Sequence, residues 1–258
     1  MPPLDDNATV LHRVEIAPGL IILRVVPDQL PFAFQAGQYT VLGLRGASGD
    51  SDKLVRRAYS IASSSRADEY IEFYLALVPS GELTPKLFNL QVGDRLFMGP
   101  KATGMFTLAR VPRDKHVILV ATGTGLAPYM SMLRSEIECG GAQKVVVLHG
   151  ARYSWDLAYR TELIALARDC PNISYLPVVS RGADDPTWSG LTGYLQDALF
   201  SGEIERVSGV QLSPHEAHVF LCGNPGMIEA AKARLVAERS YIPDHRKEIG
   251  SLHLEEYW

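Results

Sequence analysis

The sequence predicts two domains in series, an antiparallel sandwich or barrel followed by an α/β domain built on a parallel sheet. Three observations carry that reading. From Thr9 to about Met98 the apolar residues come in short runs with β-branched and aromatic members, separated by turn residues. Beyond Gly99, continuous apolar runs alternate with amphipathic stretches of helical length, as parallel strands covered on both faces require. The chain has 258 residues, 47% hydrophobic and 21% charged, an ordinary globular composition that suits one large domain or two of moderate size.

Taken in order, the strand-like runs of the first half are LIILRVV, QYTVLGL, AYSIAS, YIEFYLALV and DRLFMG, divided by PDQLPF, GASGDSD, PSGE and QVGD. One helix is expected among them, Thr84 to Leu90, with Pro85 in its first turn. In the second half VILVA (117–121) precedes an amphipathic stretch to Cys139, and KVVVLHG (144–150) precedes a second from Ser154 to Asp169. ISYLPVVS (173–180), a helix from Leu191 to Phe200, HVFLCG (218–223) and a helix from Pro225 to Ser240 continue the alternation. The boundary falls within residues 99–114, which gives domains of 1–105 and 106–258. There is no internal repeat or low-complexity segment.

A formal net charge of −4 supplies no field to gather nucleic acid or an anionic membrane, and neither is expected as a partner. The start, MPPLDDNATV, lacks a basic region followed by an apolar stretch, so it does not read as a secretory signal. No apolar run approaches the ~20 residues that cross a bilayer, and a cytoplasmic location is expected. Cys139, Cys170 and Cys222 are odd in number and widely spaced with no CxxC, which argues against a disulfide framework, a zinc site or an iron–sulfur cluster. Any iron–sulfur centre would then belong to a partner. His215 and His218, three apart in SPHEAH, lack the HExxH pattern, and no metal site is expected.

Several segments carry chemistry. On a strand, Arg57 and Tyr59 share one face while Ala58 and Ser60 share the other. A guanidinium beside a flat ring suits a flat anionic ligand, although a barrel tyrosine with a solvated arginine explains the same residues. Thr84 reads as an N-cap able to offer a helix N-terminus to an anion. ATGTGLAP joins a strong strand to a helix, where a Gly-rich turn brings N–H groups to phosphate; it matches neither GxGxxG nor a P-loop. Arg152 and Arg181 follow the second and third strands, at the carboxyl ends where α/β sheets bind ligands. In CGNPGM, Asn224 reads as an N-cap and Pro225 as the first helical residue, with Cys222 and Gly223 ending the strand. Tyr257 and Trp258 end the chain, where a packed aromatic tail is the simplest explanation.

RAYS (57–60) resembles the RxYS signature of the ferredoxin-NADP⁺ reductase superfamily. YLAL (74–77), GELT (81–84), ATGTGLAP (121–128), HGARY (149–153), VSR (179–181), CGNPGM (222–227) and EEYW (255–258) follow in that family's order and span nearly the whole chain. The likeness is greatest to the bacterial ferredoxin (flavodoxin)-NADP⁺ reductases. It implies a β-barrel that holds FAD tightly and non-covalently, and an α/β domain that binds NADP(H) as co-substrate. Arg57 would pair with the FAD pyrophosphate, Tyr59 would cover one isoalloxazine face, and Ser60 would hydrogen-bond near N5, with Ala58 between them. Tyr74, Leu75, Ala76 and Leu77 would add backbone contacts along the flavin, and Glu82, Leu83 and Thr84 would close over the phosphates.

The resemblance also implies that Thr122, Gly123, Thr124 and Gly125 cradle the nicotinamide dinucleotide, with Thr124 close to the flavin as well. Arg152, Ser180 and Arg181 would grip the 2′-phosphate of NADP, and Gly223, Asn224 and Pro225 would complete the site. The pattern departs at Tyr194, where the bacterial relatives usually carry a basic residue; a tyrosine can stack on adenine but cannot neutralise phosphate. Cys222 would face the nicotinamide without a covalent role. Tyr257 would cover the second flavin face and move aside for nicotinamide, Trp258 would stack on the FAD adenine, and Glu256 is a candidate for proton transfer.

The leading expectation is a ferredoxin/flavodoxin-NADP⁺ oxidoreductase, in which FAD links two-electron exchange with NADP(H) to one-electron transfer with a ferredoxin or flavodoxin. A monomer is expected. The runner-up is an NAD(P)H-dependent reductase that serves an oxygenase or reduces free flavin or iron. A reading of another class, a non-enzymatic FAD redox sensor, is opposed by the intact ATGTG, Arg152, Arg181 and CGNPG.

Overall fold

The structure is a computed structural model that describes residues 6–46 and 53–256. It divides into two compact units, Met1–Leu108 with Ala127–Glu136, and Ala109–Leu126 with Ile137–Trp258.

The first unit is an antiparallel sheet of β1 (Ala8–Ala17), β2 (Leu20–Pro27), β3 (Tyr39–Arg45), β4 (Leu54–Ser60), β5 (Ile71–Ala76) and β6 (Arg95–Met98). The strands run in the order β4-β3-β6-β1-β2-β5, and a bridge between Ile61 and Phe73 brings the two edges together. Alternation sets the inward face: Ile21, Leu23 and Val25 of β2 are fully buried. They pack with Leu42, Phe73, Leu75, Leu87 and Leu96 in one core. β1 was absent from the five runs because His12, Arg13 and Glu15 interrupt its apolar pattern. The helix expected at Thr84 to Leu90 is a single turn, α1 (Thr84–Leu87), with Pro85 at its start.

α2 (Ala127–Ser135) also belongs to this unit. The Glu72 carboxylate of β5 is 99% withdrawn from solvent and takes Arg134 of α2 on one oxygen and Arg24 of β2 on the other, each at 2.7 Å. Burial alone would push the Glu72 carboxyl up, but the two guanidiniums more than offset this and hold it below the usual range. Arg134 also donates to the Ala62 carbonyl at 2.8 Å, and Ser135 Oγ accepts from the Ser65 N–H at 2.8 Å.

The second unit is a parallel sheet of β7 (His116–Thr122), β8 (Val145–Ala151), β9 (Ile173–Val179), β10 (Leu191–Thr192), β11 (Ala217–Gly223) and β12 (Leu252–Glu256). Their order is β10-β9-β8-β7-β11-β12. The apolar runs read as buried strands are the central ones: Val117 to Ala121 and Val145 to Leu148 are fully buried. α3 (Arg160–Asp169), α4 (Leu195–Leu199), α5 (Glu203–Ser208) and α6 (Pro225–Arg239) complete the unit.

Several expectations are corrected here. The helix expected from Leu191 begins at Leu195, because Leu191 and Thr192 pair with β9 and Gly193 turns at φ +115°. The stretch Ser154 to Asp169 is a 3₁₀ turn and α3, separated at Tyr159, whose φ is +57°. Cys139 and Cys170 form a disulfide, with Cα atoms 4.9 Å apart across 31 residues of sequence. An odd cysteine count does not exclude one bridge; folding brings Cys139 to the end of α3 and leaves Cys222 outside the disulfide. Among the described residues no helix is long and apolar enough to cross a membrane.

Candidate functional site

In the first unit the residues expected at FAD fall on three neighbouring segments. β4 carries Arg57, Ala58, Tyr59 and Ser60 opposite Leu42, Val41, Thr40 and Tyr39 of β3. Arg57 and Ala58 are exposed, Tyr59 is half-buried and Ser60 is buried. The Arg57 guanidinium lies 4.0 Å from the Glu82 carboxylate, so the two groups expected near phosphate are neighbours. Both are largely in water, and the contact itself adds little stability. The Tyr59 ring packs on the barrel core, while its hydroxyl is buried with no hydrogen-bond partner among the described residues. Burial pushes that phenol up to about 12, opposed by Arg57.

The Ile61–Phe73 bridge sets the end of β4 beside β5, which holds Tyr74, Leu75 and Ala76. Tyr74 and Leu75 are buried, Ala76 and Leu77 half-buried. Thr84 is not an N-cap. Its hydroxyl accepts the Val78 N–H at 2.9 Å and donates to the Val78 carbonyl at 3.0 Å, and the cap position falls to Leu83, whose side chain is buried in the barrel. Thr84 therefore ties off the loop that carries Glu82 and Leu83, and a one-turn helix has no dipole worth offering an anion.

In the second unit two turns meet at the carboxyl ends of β7 and β11. Gly123 opens the turn Gly123–Leu126 at φ +53°, with nothing within 4 Å of a Cβ position. At Gly125 a Cβ would lie 2.5 Å from the Cys222 carbonyl carbon and 2.7 Å from the Gly223 nitrogen. The Asn224 N–H donates to Thr122 Oγ1 at 2.8 Å. Thr122, Gly123, Thr124, Gly125, Cys222, Gly223, Asn224 and Pro225 thus come together, with the first three half-buried and Cys222 fully buried. Asn224 caps α6, its Oδ1 accepting from the Met227 N–H at 3.2 Å, and Pro225 sits in the first turn.

Arg152 and Arg181 are also brought together: the Arg181 N–H donates to the Arg152 carbonyl at 2.9 Å, and the Ser180 N–H to the Ala151 carbonyl at 2.9 Å. Arg152 stands 3.5 Å from Asp156 yet is 62% exposed. The Arg181 guanidinium donates to the Tyr153 hydroxyl at 3.1 Å. That bond, with Asp184 and Tyr194 nearby, holds Arg181 above its ordinary range. Tyr194 is 67% exposed at the start of α4. Two fixed guanidiniums in water at the end of a parallel sheet can bind a dianion.

Tyr257 and Trp258 lie outside the described residues. Glu256 is exposed and pairs in register with Gly223, one strand across from the second turn. His218 does not turn toward His215 but pairs with His253 of β12, Nδ1 to Nε2 at 3.0 Å.

Sequence reasoning gave Tyr153 no role beyond its place in HGARY and missed Trp155; their rings stack with centroids 4.6 Å apart and planes 10° from parallel. It also missed Asp185, buried, whose carboxylate accepts the Ser154 N–H at 2.8 Å and the Thr187 hydroxyl at 2.7 Å. The aromatic pair two residues apart after a strand was the available signal; Asp185 gave none.

Comparison with known proteins also finds two parts, although its second match takes in residues 127–136, which belong to the first unit. A family model described as oxidoreductase FAD-binding domain matches residues 8–106, and one described as oxidoreductase NAD-binding domain matches residues 119–233. A flavodoxin/ferredoxin–NADP reductase of Escherichia coli (strain K12) is 35% identical over 93% of this chain and 93% of its own. The reductase component of a phenol 2-monooxygenase from Pseudomonas sp. (strain CF600) is 32% identical over 94% of this chain and 65% of its own. Among solved structures, a ferredoxin NADP⁺ reductase from Neisseria gonorrhoeae with bound FAD and NADP aligns with a TM-score of 0.83 at 24% identity, over 98% of both chains.

Proposed function

Given that the chain belongs to the flavodoxin/ferredoxin–NADP reductase family, we propose that it is an FAD-dependent oxidoreductase exchanging electrons between NADP(H) and a ferredoxin or flavodoxin. The observation that carries this reading is the packing of the turn Gly123–Leu126 against Cys222–Asn224, next to the paired arginines 152 and 181. FAD, when bound, supplies the exchange between two-electron and one-electron chemistry.

The residues present fit both groups. In the first unit, Arg57 is exposed and only loosely paired with Glu82, which suits it to a pyrophosphate, and Tyr59 offers a ring fixed by its apolar body and a hydroxyl without a partner among the described residues. Ala58, Ser60, Tyr74, Leu75, Ala76, Leu77, Glu82, Leu83, Thr84 and Thr124 form the rest of the proposed FAD set, with Tyr257 and Trp258 from the terminus. In the second, the open space above Gly123 admits a phosphate to the N–H groups of the turn. Thr122, Thr124, Gly125, Gly223, Asn224 and Pro225 would orient the nicotinamide half, while Arg152 and Arg181, with Ser180, would hold the far phosphate and Tyr194 would stand at the adenosine end without neutralising it. Ser60, Cys222, Glu256 and Tyr257 are the residues proposed nearest the reacting atoms.

Residues 1–105 as the FAD domain and 106–258 as the NADP domain remain the proposed assignment, supported by the two family matches. A monomer in the cytoplasm belongs to the same proposal; the Cys139–Cys170 bridge weighs against that compartment, where such bonds are rare. Tyr194 favours one second reading, a reductase indifferent to the 2′-phosphate that serves an oxygenase. Anaerobic titration of the purified flavoprotein with NADPH and with NADH, followed by transfer to ferredoxin or flavodoxin, tests both. Preferential bleaching by NADPH is expected. Equal bleaching by NADH with no transfer to either carrier would favour the second reading.

A further inference from the structure

Trp155 has no assigned part in the dinucleotide site, yet its setting is that of a ligand platform. The strand β8 ends at Ala151, and the next residues are Arg152, Tyr153, Ser154 and Trp155. The backbone of this turn is not left to drift. Buried Asp185 accepts the Ser154 N–H and is itself held by the hydroxyl and N–H of Thr187, at 2.7 and 3.2 Å. Asp156, the next residue, is buried.

On that base the indole of Trp155 and the phenol of Tyr153 stack nearly parallel. Arg181 lies over the Tyr153 ring, 5.5 Å from its centroid, and donates to its hydroxyl. Tyr153 thus locks one face of the indole, while Trp155 remains 49% exposed. A single exposed apolar side chain is ordinary; what sets this one apart is that one face of the indole is held by a stacked ring while exposed cations flank it. Its neighbours state what the open face receives. Arg152 and Arg181 are exposed cations within three residues of the stack or in direct contact with it, so the occupant is a flat heterocycle that carries phosphate on its sugar.

We propose that Trp155 is the stacking residue for the adenine of an adenosine 2′-phosphate group, with Tyr153 as its support and Arg152 and Arg181 as the phosphate ligands. This rests on the reading of the second unit as an NADP site and goes beyond it by locating the base. Trp155 fixes adenine affinity and the arginines fix the choice between phosphorylated and unphosphorylated ribose, so the two contributions separate on mutation. Tyr194, more exposed and with no stacked ring among the described residues, is the alternative platform.

The test is calorimetric titration of the purified flavoprotein with adenosine 2′,5′-bisphosphate, which needs no turnover. Trp155→Ala should weaken binding about tenfold, and Trp155→Phe should recover most of it; Tyr194→Ala should change it far less. Unchanged affinity in Trp155→Ala, or a loss confined to Tyr194→Ala, overturns the assignment. A loss in Trp155→Ala that Trp155→Phe fails to recover, with a lowered thermal midpoint in both, would make Trp155 structural and overturn it too. The wild type decides the underlying reading separately: binding of the bisphosphate with bleaching by NADPH upholds it whatever the variants do, and absence of both sinks it together with the platform.

Discussion

Replacing Gly125 by alanine puts one methyl group where the structure has no room for it. The new carbon would stand 2.5 Å from the carbonyl carbon of Cys222 and 2.7 Å from the nitrogen of Gly223, where ordinary contact begins at 3.4 Å. The obstructing atoms are backbone, and β11 is hydrogen-bonded on both sides, to β7 and β12, so they cannot yield. The turn itself must retreat by about 1 Å, the difference between 2.5 and 3.4 Å. Overpacking of this kind costs about 1–3 kcal/mol, and a displacement near 1 Å in a group that orients substrate costs roughly 100-fold in rate. Gly123→Ala is the matched comparison. There a Cβ meets nothing within 4 Å, and the penalty is only that of a left-handed backbone at φ +53°, about 1–2 kcal/mol. Stopped-flow reduction of the flavin by NADPH, with thermal midpoints measured alongside, should find both variants destabilised; Gly125→Ala should be slowed by a large factor even at saturating NADPH, whereas the methyl of Gly123→Ala, which enters the space proposed for a phosphate, should chiefly weaken NADPH affinity. If Gly125→Ala reduces at the wild-type rate with wild-type dinucleotide affinity, the packing of this turn against Cys222–Asn224 does not set its position.

Three further outcomes follow from buried charge and sulfur. His253 is buried between His218, Asp244 and Arg110, with Asp114 and Lys115 facing His218; desolvation, opposed by Asp244, depresses it to about 4. The unfolded chain therefore takes up its proton first as the pH falls below 6.5, and stability should fall progressively from pH 6.5 toward 4. His253→Phe, which keeps a ring on Phe220, should flatten the urea midpoint over that window relative to wild type; an unchanged slope would exclude His253 as a source. Glu72→Ala leaves Arg24 and Arg134 without their shared carboxylate and should cost about 3 kcal/mol in urea unfolding, and a loss under 1 kcal/mol would mean that solvent already screens the triad. Of the three cysteines Cys222 is the one outside the disulfide, so protein unfolded without reductant should titrate one thiol and protein treated with reductant all three. Three thiols without reductant would remove the Cys139–Cys170 bridge.

Much of this was legible in the sequence because its signals are local. A strand such as LIILRVV announces its inward face by alternation, and Asn224-Pro225 announces a helix start by chemistry confined to three residues. What stayed hidden depends on residues far apart. β12 offers only five residues, LHLEE, and becomes a strand because β11 presents a free edge to it. Thr84 has the residue type of a cap but spends its hydroxyl on Val78, six positions back, a choice the loop's closure makes. The bridge between Cys139 and Cys170 needs two points 31 residues apart to be brought within reach by the folding of the second unit, which no spacing rule encodes. The candidate site followed the same division: its glycines and arginines were visible as motifs, whereas Asp185, which holds the Tyr153–Trp155 turn, is an aspartate among loop residues until the fold closes over it.

The placement of α2 sets a limit on how this chain can be recombined. The backbone crosses between the two units at 108, at 126 and again at 136, so the first unit is not a contiguous segment of the gene. A chimera that joined this barrel to another protein's nucleotide half at the obvious seam would exchange α2 as well, and with it Arg134, the partner of Glu72. A barrel expressed alone from the N-terminal segment would likewise leave the Glu72 carboxylate with Arg24 as its one guanidinium partner of the two described. Graft boundaries that carry residues 127–136 along with the barrel preserve that triad, and inheritance in this fold is expected to couple those ten residues to β5 more tightly than to the strand that precedes them.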